Sequence, residues 1–580
     1  MPAYAIRRPL IPAEKDALAS CSELVAHLLF HRDVTDAAAA ERFLAPDYER
    51  DTHDPLLMKD AGTAAERIIR AIQSGEKICV YADYDADGIP GAALFNDLFS
   101  RIGYANFTIY IPHRHDEGFG LHEAAIDELA SGGVKLLITV DCGIADAAAA
   151  RHARELGLDV IITDHHEPPA ELPPAVAVVD PKRADCPYPY KHLCGTGVAW
   201  KVIQAILAKE RFGLKEGSEK WMLDLVGIAT LSDMVPLTGE NRVFARYGLT
   251  VLRKTPRLGL VKLLGKLRIA QPHLTEDDIT FMITPRINAA SRMGVPMDAF
   301  RLLAASTDVE AAECADHLDA INNERKGVVA SLVKEVKKLV HERHAGGPVP
   351  SVIVLGNPAW RPSLLGLAAN SCAEEFRRPV FLWGRDGDNA IKGSCRSEGA
   401  SNIVAIMRAV PAGVFTEFGG HRQAGGFAVS NESIHYLDQR LNEAAASLAT
   451  ASAQEGASSS TDDGSEIDAE LSLDAVTYAL HSELDRLAPF GLGNPKPIFL
   501  FKNVRPATVR KFGKGSEHIE LGMTASGGRK IPAISFFGVA EDWASRVVAG
   551  QPIDLIASVE KSMFRGRPEL RLRIVDVVLG

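Results

Sequence analysis

The sequence predicts an α/β protein: a parallel-sheet domain joined by helices to a smaller α/β domain, with a β-barrel at the C-terminus. Three observations predict it. Over 78–180, five short apolar, β-rich runs alternate with helix-like Ala/Leu/Glu segments, the βαβ pattern that builds a parallel sheet with helices on both faces. A second, shorter α/β alternation begins near Val349, after a mostly helical stretch over 195–345. From Pro497 onward the pattern changes to five β-rich runs.

Composition narrows the class. At 580 residues the chain holds several domains, and 46% hydrophobic with 24% charged residues is enough to bury real cores. No run approaches the length of a membrane span and Met1-Pro2-Ala3-Tyr4-Ala5-Ile6 opens no apolar leader, so a cytoplasmic protein is expected. Eight cysteines without a C-x-x-C pair speak against a zinc ribbon or a disulfide framework. A net charge of −11 speaks weakly against a uniformly nucleic-acid-coating protein and says nothing about a local basic groove.

Element by element, 1–55 is a helical region without legible chemistry. The sheet domain follows over 56–250, with strands expected at 78–83, 107–112, 136–141, 160–164 and 176–180 and helices at 91–102, 121–131 and 145–157. Four of the five runs end on aspartate, and the carboxyl ends of parallel strands are where open α/β sheets place ligands; helix capping would explain any one of them. Residues 251–345 form a helical connector, its charged run 309–344 a single long helix. The second α/β domain spans 346–448, and the small polar stretch inside 449–468 reads as a flexible linker. The runs 497–501, 518–523, 531–537, 553–559 and 570–578 suit a five-stranded barrel of the OB type over 469–580. Between Lys502 and Arg573 thirteen Lys/Arg face seven Asp/Glu, interleaved with Phe512, Phe536, Phe537 and Phe564. That mixture fits a single-strand groove with stacking faces.

The chemistry gathers at the strand ends. Asp83-Tyr84-Asp85-Ala86-Asp87-Gly88 sets three carboxylates at alternate positions, pointing one way if the chain stays extended. Their mutual repulsion calls for a cation, and the residues after Gly88 lack the glutamate of a calcium-binding EF-hand. Further candidate ligands are Asp141, Asp164-His165-His166 and Asp233. Carboxylates with one imidazole suit Mn²⁺ or Mg²⁺, and this number of ligands can hold two ions. The chemistry to expect is phosphoester hydrolysis.

These segments, with Val140-Asp141-Cys142-Gly143 and Ser232-Asp233-Met234-Val235-Pro236, closely resemble the DHH phosphoesterase superfamily and, within it, the bacterial RecJ family of single-strand exonucleases. Pro112-His113-Arg114, Glu117-Gly118-Phe119-Gly120, Leu193 to Val198, Pro285 to Arg292, Gly393 to Ser397, Phe418 to His421 and Pro489 to Pro495 extend the resemblance over some four hundred residues, in order. It makes the first domain a DHH domain and the second a DHH-associated domain. It implies Asp83, Asp85, Asp87, Asp141, His165 and Asp233 as ligands of two Mn²⁺ or Mg²⁺ ions, with Asp141 bridging, His166 on phosphate and Asp164 orienting the histidines. It places Gly393, Ser394, Arg396 and Ser397 in a phosphate-binding loop, joined by Arg114 on the 5′ phosphate, with His421 lining the same cleft. Arg286 and Asn288, with Arg292, match a motif that either contacts substrate or supports the site. The expected activity is 5′-to-3′ hydrolysis of single-stranded DNA to 5′-mononucleotides in repair and recombination. Expected partners are a single-strand-binding protein and a helicase.

The chain departs from the family pattern at Arg361 and Ser363, where His and Gly are usual, at Ser291, at Pro90-Gly91 and at Asp180. None is a metal-ligand position, but Arg361 and Ser363 bear on the shape of the second domain's cleft. Two other readings remain: a DHH phosphodiesterase for short oligonucleotides or cyclic dinucleotides, which would not need the basic barrel, and a non-catalytic single-strand-binding scaffold, against which all six ligand positions are filled.

Overall fold

The structure is a computed structural model that describes residues 4–345, 347–387, 389–399, 401–454, 466–563 and 568–579. Two compact units emerge. One comprises Met1–His53, Met234–Tyr247 and Gly464–Gly580, the other Asp54–Asp233 and Gly248–Asp463.

The second unit carries two sheets. Its first is all parallel: β1 (Lys77–Ala82), β2 (Phe107–Tyr110), β3 (Val134–Val140), β4 (Asp159–Thr163) and β5 (Ala177–Val179), in the order β2-β1-β3-β4-β5. All five expected strands are there. The near-continuous apolar sequences of β1, β3 and β4 are buried on both faces, as a sheet covered by crossover helices requires, and the edge strand β2 is half-buried. Helices Glu123–Ser131 and Ala147–Glu155 pack on one face, sharing a core with Cys79, Tyr81, Leu137 and Ile162. Helices Ala61–Ser74, Gly88–Arg101 and Gly195–Lys209 pack against one another and the sheet. Gly91 accounts for one departure from the family pattern: a Cβ there would lie 2.4 Å from Val140 Cγ1 and 2.9 Å from Thr196 Oγ1.

From β1 the chain moves to β2 on one side, and from β3 to β4 on the other. Between β1 and β3 the winding therefore reverses, and the crevice at such a switch point is where ligands bind.

The second sheet contains β6 (Ile353–Gly356), β7 (Val380–Arg385), β8 (Ile391–Arg396), β9 (Phe415–Gly420) and β10 (Ala424–Val429), ordered β6-β7-β8-β10-β9, with only β6 and β7 parallel. Helix Asp308–Arg343 is the expected long helix. Its C-terminal half buries Leu332, Val336 and Val340 in a core with helix Pro362–Phe376 and this sheet, while it also packs along helices Leu258–Leu267 and Thr284–Met293. It thus ties the two sheets of this unit together.

In the other unit, β11 (Ala469–Glu470), β12 (Phe499–Val504), β13 (Thr508–Phe512), β14 (His518–Thr524), β15 (Lys530–Ser535), β16 (Ile553–Ser562) and β17 (Glu569–Leu579) form a seven-stranded sheet, ordered β11-β12-β16-β17-β15-β14-β13. The five expected strands are present, and two were not foreseen. Both lie at the sheet's ends: β11 is two residues long, and β13 carries Arg510 and Lys511, charges that hide the alternation and discourage edge pairing.

Two expectations need correction. Residues 1–55 are not a separate helical region: Leu18, Val25, Leu28 and Leu29 are buried in one core with Phe499, Phe501, Leu521 and Leu555 of the C-terminal sheet. The linker expected at 449–468 begins as helix, because helix Leu437–Gln454 continues through an alanine-rich stretch of high helix propensity. Its last residues are also structured, with Ile467 bridging Ile6. The rest, 455–465, lies outside the described residues, as does Phe564.

Candidate active site

The carboxylates converge at the β1/β3 switch point. Asp83 follows β1, and its N–H donates to Val140 O (3.1 Å). Asp141 follows β3 with φ +63° and is tied by its N–H to Thr163 O (2.9 Å). Asp164, His165 and His166 follow β4, and Asp233 caps the C-terminus of helix Leu223–Ser232.

The sequence reading, with all three acids on one face of an extended chain, does not hold beyond Asp83. The chain turns at Asp85 into helix Gly88–Arg101, and Asp85 Oδ1 accepts from the N–H groups of Asp87 (2.8 Å) and Gly88 (3.3 Å), much as a helix cap does. A Cβ at residue 88 would lie 2.4 Å from Asp83 O, so only glycine lets the turn close. Asp87 points to the N-terminus of helix Gly195–Lys209, where the N–H groups of Gly195 and Thr196 donate to its two oxygens at 2.6 and 2.8 Å. The positive end of that helix favours the carboxylate. Gly195 and Thr196 are positioning residues to which the sequence reading gave no role, although both lie in the family segment Leu193 to Val198 and open a glycine-rich helix.

Among the described residues, three trios of donor atoms lie within 4.8 Å of one another: Asp83, Asp85 and Asp141; Asp87, His165 and Asp233; Asp141, His165 and His166. His165 Nε2 is 3.1 Å from Asp141 Oδ1, 3.7 Å from Asp233 Oδ2 and 3.8 Å from Asp87 Oδ2. Burial and then neighbouring carboxylates hold Asp83 and Asp141 well above the usual carboxylate range, and push Asp233 to about 9. Burial pushes the His165 imidazole down, toward the neutral form that binds metal. Asp83 Oδ1 and Asp141 Oδ1 are buried without a hydrogen-bond partner. Buried carboxylates crowded together in this way are costly to charge, and a hard divalent cation suits carboxylate oxygens with one imidazole. The residues fit Mn²⁺ or Mg²⁺.

Asp164 does a different job. Its Oδ1 accepts from the N–H groups of His165 (2.7 Å) and His166 (3.2 Å) and lies 2.7 Å from His166 Nδ1, while Oδ2 accepts from Ile144 N–H (3.0 Å). Burial works against both charges, but the pairing outweighs it: Asp164 is held low and His166 high. His166 thereby presents a half-exposed ring, oriented by Asp164, beside the carboxylates.

Around this centre lies an arginine cluster. Arg114 stacks 4.8 Å from the centroid of Tyr84. Arg292 donates to Ser363 O (2.8 Å), and Ser363 Oγ donates back to Arg292 O (3.0 Å), which gives the Ser363 departure a packing role. Burial, followed by repulsion from Arg114, Arg325 and Arg396, pushes Arg292 down to about 9. Arg325 was not foreseen; it comes from the long helix, and its buried Nε has no hydrogen-bond partner.

The phosphate loop expected at Gly393, Ser394, Arg396 and Ser397 is mostly strand. Residues 393–396 belong to β8, paired on both sides by β7 and β10, so ladder bonds consume their N–H groups. The N–H of Ser397 goes to Gln423 O (3.0 Å). What remains is side chains: Ser394 and Arg396 share a face at spacing two, while Cys395 enters the opposite core. Gly393 makes room for Phe427. His421, exposed in the β9–β10 turn, is held by its backbone N–H to Ala424 O (2.7 Å).

Arg286, read as either contacting substrate or supporting the site, is buried and turned away: Nε and Nη2 donate to Asp319 Oδ1 (3.0 and 2.8 Å) and Nη1 to Met282 O (2.6 Å). Asn288 accepts from Ala86 N–H (2.9 Å) and so braces the loop between Asp85 and Asp87.

On the C-terminal sheet, Arg573 and Arg571 lie 4.3 and 5.6 Å from the Phe536 ring centroid, and His518 packs edge-on against Phe536 and Phe537. Phe537 is exposed at φ +60°. Cations interleaved with open rings form a patch suited to single-stranded nucleic acid.

Comparison with known proteins matches the DHH family, N-terminal domain, over 77–230, the DHHA1 domain over 350–450 and the RecJ OB domain over 467–576. The single-stranded-DNA-specific exonuclease RecJ of Bacillus subtilis (strain 168) is 33% identical over 584 residues, which cover 100% of this chain and 71% of that protein. Its Escherichia coli (strain K12) namesake is 29% identical, covering 89% of each. Among solved structures, RecJ from Thermus thermophilus in complex with Mn²⁺ is similar at a TM-score of 0.79 and 25% identity, covering 100% of this chain and 80% of that one. An exonuclease RecJ bound to manganese has a TM-score of 0.58 at 31% identity, covering 68% of this chain and 96% of that one. With the three domain types matched in order, and a third of its residues shared along its whole length with a protein of that name, the chain belongs to the RecJ family.

Proposed function

We propose that the chain is a divalent-metal-dependent exonuclease that degrades single-stranded DNA from the 5′ end and releases 5′-mononucleotides. The observation that carries this reading is the pair of trios, Asp83/Asp85/Asp141 and Asp87/His165/Asp233, brought together at the β1/β3 switch point of a chain in this family. In this reading the two trios hold two ions, with Asp141 and His165 at their junction. Bound there, Mn²⁺ or Mg²⁺ supplies charge neutralisation at the scissile phosphate and acidifies a water.

The chain's own groups do the rest. Asp164 fixes the His166 ring and keeps its proton, so that His166 donates to a phosphate oxygen. Gly195 and Thr196 hold Asp87, and Asn288 holds the turn that carries Asp85 and Asp87. Arg114, Arg292, Ser394 and Arg396 receive the 5′ phosphate, a dianion that relieves the mutual repulsion of the arginines. The Phe536/Arg573 patch of the C-terminal sheet binds single strand. No helix among the described residues is long and apolar enough to cross a membrane. Free cysteines suit the reducing cytoplasm, where we place the protein. A single-strand-binding protein and a helicase are its proposed partners, and a pull-down enriching neither would remove them.

The test follows a 5′-phosphorylated single strand, labelled at either end, with Mn²⁺, Mg²⁺ or EDTA, beside a blunt duplex. Early mononucleotide release from the 5′ label, dependent on metal and absent on the duplex, is expected. Hydrolysis of a dinucleotide without cleavage of the long strand would move the protein to small substrates.

A further inference from the structure

Among the sequence motifs, Glu117-Gly118-Phe119-Gly120 has no part in the chemistry above, yet it carries an unusual feature. Phe119 is 51% exposed, a fully apolar ring left in water. Its centroid lies 5.6 Å from that of His166, with the rings 71° apart in an edge-to-face contact, and half of the Phe119 surface stays open.

The ring is held out by a rigid mount. Gly118 and Gly120 stand at φ +91° and +94°, conformations that side-chain-bearing residues rarely adopt. A Cβ at residue 120 would also lie 2.6 Å from Asp146 Oδ2, the atom that accepts from Leu121 N–H (2.8 Å). Tyr81 OH, from β1, donates to Gly120 O at 2.9 Å. Glu117 accepts from Tyr110 OH, on β2, and from His113 N–H, both at 2.6 Å. Tyr81 and Tyr110 stack on each other 5.1 Å apart. The loop is therefore pinned to two strands of the parallel sheet on both sides of Phe119. A ring with freedom to move would bury itself to escape water; this one is prevented from doing so.

We propose that Phe119 is the stacking face for a nucleobase of the strand in the active site, the base whose phosphate is held at His166. Every base has a π-face, so such a contact grips any sequence, as an enzyme that steps along a strand requires. Because Phe119 touches His166, the base contact and the phosphate contact position one nucleotide together. Phe119 is a positioning residue that sets how firmly the nucleotide is presented to the metal ligands. The inference rests on the exonuclease reading.

The test is single-turnover cleavage, with Mn²⁺, of a 5′-phosphorylated strand and of matched strands carrying a baseless sugar at one of the first three nucleotides, by the wild type, Phe119→Ala and Phe119→Trp. Phe119→Ala should lose about tenfold in kcat/KM on the intact strand, the scale of one base–aromatic stack, and Phe119→Trp should retain activity within about twofold. At one position the missing base should cost the wild type a similar factor and cost Phe119→Ala nothing more. Mn²⁺ binding, read by calorimetry, should match in all three proteins. If Phe119→Ala loses the same factor on the intact strand and on every baseless one, the ring merely props His166 and the inference fails while the exonuclease reading stands. If the wild type cleaves no strand, both fall.

Discussion

Gly195 shows how much of the site depends on residues that carry no chemistry. A methyl group there would lie 2.5 Å from both Cβ and Oδ1 of Asp141, and its N–H already holds Asp87. Gly195→Ala should displace the Asp141 carboxylate, at the junction of the two trios, and weaken Mn²⁺ binding about 10–100-fold, the usual cost of disturbing a ligand's support, as calorimetric titration would read. Asp180 offers a second prediction. It is fully buried, its Oδ2 lacks a partner, and burial outweighs the hydrogen bond from Lys182 N–H to push its carboxyl up to about 7. A carboxyl with a higher pKa folded than unfolded keeps its proton longer in the native state. Stability then falls as pH rises from about 4, the unfolded value, through 7. Asp180→Asn removes that decline. Thermal melts should show the variant gaining on the wild type between about pH 5 and pH 8, by about 2 kcal/mol; a difference independent of pH would refute the assignment.

At the scale of elements, the parallel strands and their terminal aspartates were legible because both leave local marks: apolar runs of strand length, and a carboxylate where each run stops. Strand β8 was not. Gly393-Ser394-Cys395-Arg396 has the composition of a turn, and only its pairing with β7 and β10, set by distant residues, makes it a strand. The helix Thr284–Met293 was legible as a motif but not in its roles, since Asn288 turns toward the catalytic loop and Arg286 toward Asp319 on another helix. Those roles separate in mutants. Arg286→Ala leaves Asp319 without its ion-pair partner and should lower unfolding stability by about 2 kcal/mol or more, seen in denaturant melts. Arg396→Ala should leave the melt nearly unchanged. It should cut cleavage of 5′-phosphorylated strands by at least about tenfold and spare 5′-hydroxyl strands, because the lost contact is a charge-assisted one to phosphate. Equal loss on both strands would mean that Arg396 supports the second sheet and does not bind the end.

At the scale of the whole molecule, the sequence reading failed where contacts join distant segments. Nothing local in residues 1–55 shows that Leu28 and Leu29 share a core with Leu521 and Leu555, because a helix's apolar stripe does not name its partner. The consequence is thermodynamic. The N-terminal helices and the C-terminal sheet form one unit, whereas every metal-ligand candidate, from Asp83 to Asp233, lies in the other. A ligand stabilises only the structure that binds it, by about 2.7 kcal/mol at a concentration one hundred times its Kd. Scanning calorimetry should therefore resolve two transitions, of which Mn²⁺ raises one and EDTA returns it, while the other stays fixed. Deleting residues 1–45 should lower the fixed transition and leave the metal-sensitive one in place, because the apolar face of the C-terminal sheet loses its cover. A single transition that moves as a whole with metal would show that the two units unfold together, and the deletion would then lower the stability of the metal centre as well.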